Sequence, residues 1–267
     1  MTSSAPSNCV LITGAAKRIG RALALDFART GWDVAIHYHS SSDDAETLIG
    51  EIETLGQRAV AVRCNLSDWK AVEQLVPRCR DRLGQVSCLI NNASEFRFDS
   101  IADLTPESWD LHLDINLKAP VFLAQALAQN LPADATGNVI NIIDQRVWNL
   151  TPEFFSYTVS KAGLWSATRM LAQALAPRVR VNAIGPGPVL KSIHQTPDDF
   201  EREVHSTLLE RGTTPDEIAQ AIRFILNAPA MTGQMLALDG GQHLSWSNAA
   251  QPASKLATST IPQSPKK

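Results

Sequence analysis

The chain has 267 residues, a formal net charge of −3 and 44% hydrophobic residues. This length suits one large α/β domain, which can bury most of its apolar surface on folding. A slightly acidic chain without blocks of like charge offers no surface for nucleic acid. Neither a signal peptide nor an apolar run of the ~20 residues that span a bilayer is found, so we expect a cytoplasmic protein without membrane contact.

Cysteine spacing and the composition of the ends complete this outline. No metal site is expected, because the spacing of the cysteines matches no short metal-ligand pattern and suits free, buried thiols. Those cysteines are Cys9, Cys64, Cys79 and Cys88. We predict a single cofactor-binding domain at residues 9–246 between a disordered N-terminus, 1–8, and a disordered tail, 247–267, which is rich in Ser, Ala, Pro, Thr and Lys.

The first predicted strand, Cys9–Ile12, runs directly into a turn of small residues, which opens a helix that Gly31 ends. Free backbone N–H groups and the positive end of the helix dipole face whatever binds on such a turn. A dinucleotide pyrophosphate binds at this position in doubly wound folds. The turn residues expected at the cofactor are Gly14, Lys17, Arg18, Ile19 and Gly20.

The second predicted strand, 33–38, ends without an acidic residue. An acid at this tip holds the ribose hydroxyls of NAD, and its absence leaves room for the 2′-phosphate of NADP. The sequence therefore favours NADPH, while a solvated loop that caps the next helix is the alternative reading. The residues expected at this end of the cofactor are Tyr38, His39, Ser40 and Ser41, with Lys17 as a further donor.

Strand and helix patterns alternate through the rest of the chain. This alternation predicts a doubly wound parallel sheet of about seven strands with helices on both faces. Further strands are predicted at 59–64, 86–91, 139–143, 180–184 and 235–238. Further helices are predicted at 43–55, from 68 to 83, at 105–130, from 157 onward and at 215–226.

Ligands of open α/β sheets bind at the carboxyl ends of the strands. The residues that follow these ends, and that we therefore expect at the cofactor, are Asn65, Leu66, Asn92, Ala93, Ser94, Pro186 and Gly187. The segment 189–214 is polar and weakly periodic, which suits a mobile cover over the site.

The strand at 139–143 leads to Asp144, and Tyr157 and Lys161 follow, four residues apart on one face of a predicted helix. A phenol, which titrates near ~10, donates a proton poorly at neutral pH unless a nearby positive charge lowers its pKa. Lys161 stands where it can supply that charge. Asn116 lies inside the predicted helix 105–130, where an isolated Asn is usually exposed or bonded to a neighbour.

Taken together, these motifs resemble the short-chain dehydrogenase/reductase family. They are Thr13-Gly14 with Gly20, Asn91-Asn92-Ala93, Asn116, Tyr157 with Lys161, Asn182 with Pro186-Gly187, and Asp239-Gly240-Gly241. The resemblance implies a single-domain Rossmann fold and a homodimer or homotetramer. It also implies catalytic roles for Tyr157 and Lys161, which further contact the cofactor, and for Asn116, which would hold a proton-relay water.

Arg18 and Asp144 depart from the general family pattern, which has Gly and Ser at these positions. Both departures are similar to one branch, the pteridine reductases and dihydromonapterin reductases. That similarity implies substrate contacts from Arg18, Ser94, Phe96, Asp144 and Tyr157, with Phe96 stacking on the pterin and Asp144 catalytic. Some members of that branch carry Arg where Ser40 stands here.

Asp144 bears on the choice of substrate, because an ionised carboxylate repels the oxygen anion that forms when a ketone accepts hydride. An acid instead suits a C=N bond, whose nitrogen must gain a proton. We therefore predict an NADPH-dependent reductase of pterin-like substrates. The alternatives are a ketone or 3-oxoacyl reductase of the same family, with Asp144 kept neutral by burial, and an inactive nucleotide-binding protein.

Overall fold

A computed structural model describes residues 8–192 and 195–245. Within these residues, seven strands form: β1 Cys9–Ile12, β2 Asp33–Tyr38, β3 Ala59–Arg63, β4 Val86–Asn91, β5 Gly137–Ile142, β6 Val179–Pro186 and β7 Met235–Leu238. Eight α-helices accompany them: α1 Arg18–Arg29, α2 Ser42–Thr54, α3 Trp69–Leu83, α4 Pro106–Leu113, α5 Ala119–Asn130, α6 Phe155–Leu175, α7 Pro197–His205 and α8 Pro215–Leu226. The predicted disordered ends lie outside the described residues, Asn8 excepted.

The strands form one sheet in the order β3-β2-β1-β4-β5-β6-β7, and each neighbouring pair is parallel. Helices α1, α2 and α8 pack on one face, while α3 and α5 pack on the other with part of α6. The doubly wound sheet is thereby confirmed. Strand order reverses between β1 and β4, and this reversal opens a crevice beyond the carboxyl ends of the strands. None of the helices so described is long and apolar enough to cross a membrane.

Two predicted elements differ in the structure. The helix expected at 105–130 contains a π-helical turn at Asp114–Lys118 between α4 and α5. The turn directs the amide of Asn116, which is fully buried, toward the loop after β4 and Ser160 of α6. The cover segment at 189–214, which looked irregular, contains α7. A capping box of Thr196 and Asp199 stabilises the start of that helix, although none of its residues is buried.

His37 on β2 holds the turn after β1 in place. Its Nδ1 accepts a hydrogen bond from the backbone N–H of Gly14 at 3.0 Å. Its Nε2 therefore carries the proton and donates it to the carbonyl of Cys64 at 3.0 Å. Burial lowers the pKa of His37 from 6.5 to about 4. The ring is therefore neutral at physiological pH, as both hydrogen bonds require.

This arrangement predicts a loss of stability in mild acid. Above pH 6.5, His37 is neutral in both the folded and the unfolded chain, so its contribution is complete. As the pH falls from 6.5 toward 4, the unfolded chain binds a proton that the folded chain excludes, and the free energy of unfolding should decrease by about 3 kcal/mol. Denaturant titrations across this range measure the effect.

His37→Gln should weaken this pH dependence, whereas the matched control His205→Gln, on an exposed position of α7, should retain it. The same slope in wild type and both variants would contradict the assignment.

Candidate active site

The turn after β1 and the end of β4 are tied together by Thr13. Its Oγ1 accepts hydrogen bonds from the backbone N–H groups of Asn92 and Ala93, both at 2.9 Å. The side-chain amide of Asn92 returns a bond to the carbonyl of Thr13 at 2.9 Å. Gly14 lies within this junction with φ +63, and a Cβ there would stand 3.1 Å from the backbone of Ala93. The close approach explains the glycine.

The start of α1 faces a cavity of about 380 Å³. Lys17 is the N-cap residue of this helix, and its side chain makes no capping bond. The first-turn N–H groups of Arg18, Ile19 and Gly20 consequently have no capping side chain. Such a helix start suits a phosphate group.

Most predicted cofactor residues line this first cavity: Gly14, Lys17, Arg18, Ile19, Gly20, His39, Asn65, Leu66, Asn92, Ala93 and Ser94. Seven do not line it: Tyr157, Lys161, Pro186 and Gly187 line the second cavity described below, and Tyr38, Ser40 and Ser41 line neither. Tyr38 packs against the hydrophobic core on the α1 face of the sheet, while Ser40 and Ser41 lie on the loop before α2. Ser40 is exposed and Ser41 is the N-cap residue of α2 but makes no side-chain capping bond, so the loop matches the alternative reading in its solvation and position, without a side-chain cap.

Two residues near this end of the first cavity were not predicted from the sequence. Asp44, in the first turn of α2, forms an ion pair with Lys17 at 2.9 Å. Arg63 on β3 lies opposite Tyr38 in the sheet register, and its Nε donates to the carbonyl of His39 at 3.2 Å. The guanidinium of Arg63 therefore lies beside the end of β2, next to Ser40, the position at which some members of the resembled branch carry Arg. The pairing of β2 with β3 could not be read from either strand alone.

A second cavity of about 430 Å³ adjoins the first, and Arg18, Ser94, Phe96, Asp144 and Tyr157 all line it. These are the five residues expected at the substrate. Lys161, Pro186 and Gly187 line the same cavity, as do Leu190, Gln195, Phe200 and Glu203 of the cover segment. The part of the chain that the structure describes holds no cluster of three His, Cys, Asp or Glu residues that could bind a metal ion.

Tyr157 and Asp144 are directly bonded. The Tyr157 hydroxyl donates to Asp144 Oδ2 at 2.8 Å, and Oδ1 of the same carboxylate accepts from the backbone N–H of Arg146 at 2.8 Å. Burial raises the pKa of Tyr157 well above its ordinary value, and the Asp144 carboxylate raises it further. The expectation that Lys161 would leave Tyr157 with a lowered pKa is therefore wrong for this arrangement.

Lys161 lies on the same face of α6 as Tyr157, as predicted, and both side chains are buried. Its Nζ donates to the carbonyl of Ile142 at 2.9 Å and lies 5.8 Å from the centre of the Tyr157 ring. Burial lowers the pKa of Lys161 to about 8, while the attraction of Asp144 opposes that shift. The ammonium is thus directed by the end of β5.

Asn116 uses its whole side-chain amide on protein partners. Its Oδ1 accepts from the backbone N–H of Glu95 at 2.8 Å and from Ser94 Oγ at 3.2 Å. Its Nδ2 donates to the carbonyl of Glu95 at 2.9 Å and to Ser160 Oγ at 3.1 Å. Two lone pairs and two N–H bonds are all engaged. The side chain therefore anchors the loop after β4 to α6, and the relay water that the resemblance implies at Asn116 stays a prediction.

An aromatic cluster forms one wall of the second cavity. The rings of Phe96 and Phe154 are stacked at 4.5 Å and 9°, and Phe96 meets the ring of Tyr157 edge-on at 4.7 Å. Phe154 has φ 53, a left-handed conformation rare for a bulky residue, and it precedes α6. Phe154 was not predicted from the sequence, although its position three residues before Tyr157 was a usable signal.

Arg18 joins the cofactor turn to the cover segment. Its guanidinium donates to the carbonyls of Leu190 and Lys191, each at 3.0 Å. Arg18 lines both cavities, and its backbone is also left-handed, with φ 54. The residue therefore stands where the two cavities meet.

Comparisons with known proteins agree with this geometry. Residues 14–243 match the protein family described as enoyl-(acyl carrier protein) reductase. The chain is 32% identical over 235 residues to a 3-oxoacyl-[acyl-carrier-protein] reductase of Synechocystis, covering 86% of this chain and 95% of that protein. It is also 32% identical over 245 residues to a short-chain dehydrogenase/reductase of Cladobotryum, covering 86% and 94%.

Among solved structures, FolM alternative dihydrofolate reductase 1 of Brucella canis, crystallised with NADP, is 47% identical to this chain. The two superpose with a TM-score of 0.89, covering 92% of this chain and 97% of the other. Fold, site and sequence therefore agree, and the chain is a member of the short-chain dehydrogenase/reductase family.

Proposed function

We propose that this protein is an NADPH-dependent reductase that acts on the C=N bond of a pterin-like substrate. The observation that carries the proposal is the hydrogen bond from Tyr157 to the Asp144 carboxylate at 2.8 Å. It places an acidic group beside the tyrosine that faces the second cavity. The Brucella relative, named an alternative dihydrofolate reductase, supports a substrate of this class.

The first cavity fits NADPH. The uncapped start of α1 would hold the pyrophosphate, and Lys17, His39 and Arg63 would face the 2′-phosphate. Relatives crystallised with NADP or NADPH support this choice. NADPH would supply a hydride to the carbon of the substrate C=N bond, while a protein group supplies a proton to the nitrogen.

Asp144 disfavours a ketone substrate. A ketone oxygen that accepts a hydrogen bond from Tyr157 would lie about 4 Å from the carboxylate that Tyr157 contacts. At an effective dielectric constant near 20, two negative charges at that distance repel by roughly 4 kcal/mol. This energy corresponds to about three decades in rate. Protonation of a ring nitrogen removes the penalty, since no oxygen anion forms.

The lining of the second cavity also suits a flat, polar heterocycle. The rings of Phe96 and Phe154 give the cavity an aromatic wall, and Arg18, Asp144, Arg146 and Glu203 supply charged groups around it. A linear acyl chain would leave many of these polar groups without partners.

A carbonyl reductase acting on 3-oxoacyl or other ketone groups is the second candidate, because the Synechocystis relative carries that name. In that reading, Asp144 would be protonated in the bound complex and would donate to the carbonyl oxygen. A cytoplasmic homodimer or homotetramer, as the family resemblance implies, is part of the proposal in either reading.

Cofactor preference is the first test. Catalytic efficiency should favour NADPH over NADH by at least tenfold, about 1.4 kcal/mol. Lys17→Met should reduce this preference, because it removes a positive charge that would face the 2′-phosphate. Asp44→Asn should increase the preference, because the Asp44 carboxylate forms an ion pair with Lys17 and repels a phosphate. Lys70→Met, on an exposed position of α3, is the control. Equal efficiency with both cofactors in the wild type would refute the NADPH assignment.

Removal of the phenol tests the role of Tyr157. Tyr157→Phe keeps the ring packed against Phe96 but loses the bond to Asp144, so turnover should fall by roughly 10²-fold or more. The dissociation constant for NADPH should stay nearly constant, whereas Lys161→Ala should impair both cofactor binding and turnover. Tyr38→Phe, at the other tyrosine of the chain, should have little effect. Turnover above a tenth of wild type in Tyr157→Phe would show that the assignment is wrong.

Asp144 separates the two enzymatic readings. Asp144→Ser, or the better shape match Asp144→Asn, should lower turnover of a dihydropterin by ~10²- to 10⁴-fold, because the carboxyl group that shares the Tyr157 proton is lost. Weak activity on activated ketones should rise, because the repulsion is lost as well.

Steady-state NADPH oxidation with both substrate classes measures these opposite changes, and Asp134→Ser on an exposed position serves as the control. Dihydropterin turnover that survives the substitution, or wild-type activity dominated by ketones, would favour the carbonyl reductase.

A further inference from the structure

A hydrogen-bond network of buried polar side chains lies behind Tyr157 and takes no part in the chemistry proposed above. Asp99 of the loop after β4, His112 of α4 and Ser156 of α6 are 3%, 0% and 0% exposed. His112 Nδ1 lies 2.6 Å from Ser156 Oγ, and the Ser156 hydroxyl bonds to Asp99 Oδ2. Three separate segments of the chain therefore meet through one set of hydrogen bonds.

The direction of these bonds is fixed by the groups at either end. The backbone N–H of Arg97 can only donate, and it donates to His112 Nε2 at 3.1 Å. The imidazole proton must then be on Nδ1, which donates to Ser156 Oγ. The Ser156 hydroxyl in turn donates to the Asp99 carboxylate, which also accepts from Ser108 Oγ at 2.7 Å. No member can reverse its role without leaving a buried group unpaired.

The protonation states agree with this direction. Burial lowers the pKa of His112, despite the opposing attraction of Asp99, and so keeps the ring neutral. Burial raises the pKa of Asp99, but hydrogen bonds from Ser156 and Ser108 outweigh that effect and leave the pKa below its ordinary value.

At one end of this hydrogen-bond network, Asp99 fixes the start of the helix that carries Tyr157. Phe154, the N-cap residue of α6, provides no side-chain cap. Asp99 takes over that function from outside the helix: its Oδ1 accepts from the N–H of Ser156 at 3.0 Å, and its carbonyl accepts from the N–H of Phe155 at 3.1 Å. The carboxylate also interacts favourably with the positive end of the helix dipole.

The other end sets the loop that carries Phe96. His112 accepts a hydrogen bond from the backbone N–H of Arg97, the residue after Phe96. The centre of the His112 ring lies 6.1 Å from the centre of the Tyr157 ring. The Phe96 ring in turn meets Tyr157 at 4.7 Å. One buried hydrogen-bond network thus fixes both Phe96, on which a substrate would stack, and Tyr157, which would face the reacting bond of that substrate.

We propose that His112, with Ser156 and Asp99, is a positioning residue that fixes the spacing between Phe96 and Tyr157. The proposal rests on the proposed function in one respect, since it takes Phe96 as the stacking partner of the substrate. The coupling between the loop and the helix is independent of the substrate's identity.

Two substitutions of His112 separate the two halves of the hydrogen-bond network, the bond to Ser156 and the bond to Arg97. His112→Asn places an amide near the position of Nδ1, so it keeps the bond to Ser156 and releases Arg97. His112→Gln reaches the position of Nε2, so it keeps the bond to Arg97 and releases Ser156. The exposed control is His205→Asn.

We expect His112→Asn to raise KM for a dihydropterin about tenfold, because the loop that carries Phe96 is loosened. We expect His112→Gln to lower kcat per active site about tenfold, because the start of α6 is loosened. The dissociation constant for NADPH should stay within about twofold of wild type in both. A purely structural role would instead lower the melting temperature and the fraction of active sites, with the same KM and kcat per active site.

Hydrogen exchange of the NADPH-bound protein, without substrate, tests the coupling even if dihydropterins are not turned over. Exchange should rise at residues 94–99 in His112→Asn and at residues 154–158 in His112→Gln, with no change in the β1 segment. Failure of the function proposal would appear as wild-type inactivity on dihydropterins, with these exchange differences intact. Unchanged exchange at both segments, or the same pattern in both variants, would overturn the positioning role.

Ser156→Ala provides a further test if neither His112 variant folds. It interrupts the hydrogen-bond network in the middle, because it removes the Ser156 side-chain oxygen and no other heavy atom. Exchange should rise at both segments, and kcat/KM should fall about tenfold with NADPH affinity intact. Wild-type exchange and kinetics in Ser156→Ala would overturn the proposal.

Discussion

The burial of the parallel sheet on both faces is the constraint on which this structure depends. Helices cover each face, and strands such as β1 and β4 have almost no exposed side chains. The polar side chains that line the two cavities lie at the carboxyl edge, where the strands end and the crossovers diverge. The hydrogen bonds of Thr13 and His37 then give that edge its shape by fixing the turn after β1.

Within that edge, the pairing of Tyr157 with Asp144 changes what the tyrosine can do. A buried phenol that donates to a carboxylate holds its proton more firmly than an isolated one. Lys161 does not reverse this, because its ammonium is bonded to the end of β5. Tyr157 and Asp144 are therefore better regarded as one proton-holding unit than as a donor with a spectator beside it.

The two cavities share lining residues, and hydrogen bonds connect the segments around them. Arg18 belongs to the turn that would hold the cofactor, yet its guanidinium is bonded to the carbonyls of the cover segment. Asn116, seated in a π-helical turn, connects the loop after β4 to α6. The turn after β1 and the segments that line the second cavity are therefore joined by hydrogen bonds.

The sequence by itself determined the order and type of the strands, the cofactor turn, and the Tyr157 and Lys161 pair. These depend on local periodicity and on spacing along one helix, so they can be read without a partner segment. The doubly wound parallel sheet followed as well, because alternating strands and helices leave few parallel arrangements, while the order of its strands comes from the structure.

Only the tertiary structure decided which groups from distant segments touch. The bond between Asp144 and Tyr157, the guanidinium of Arg63 beside His39, and the pairing of Lys17 with Asp44 all join different elements. The π-helical turn at Asn116 and the left-handed Phe154 are also tertiary, since local preference disfavours both. Contacts across the fold stabilise them, and no pattern along the chain records those contacts.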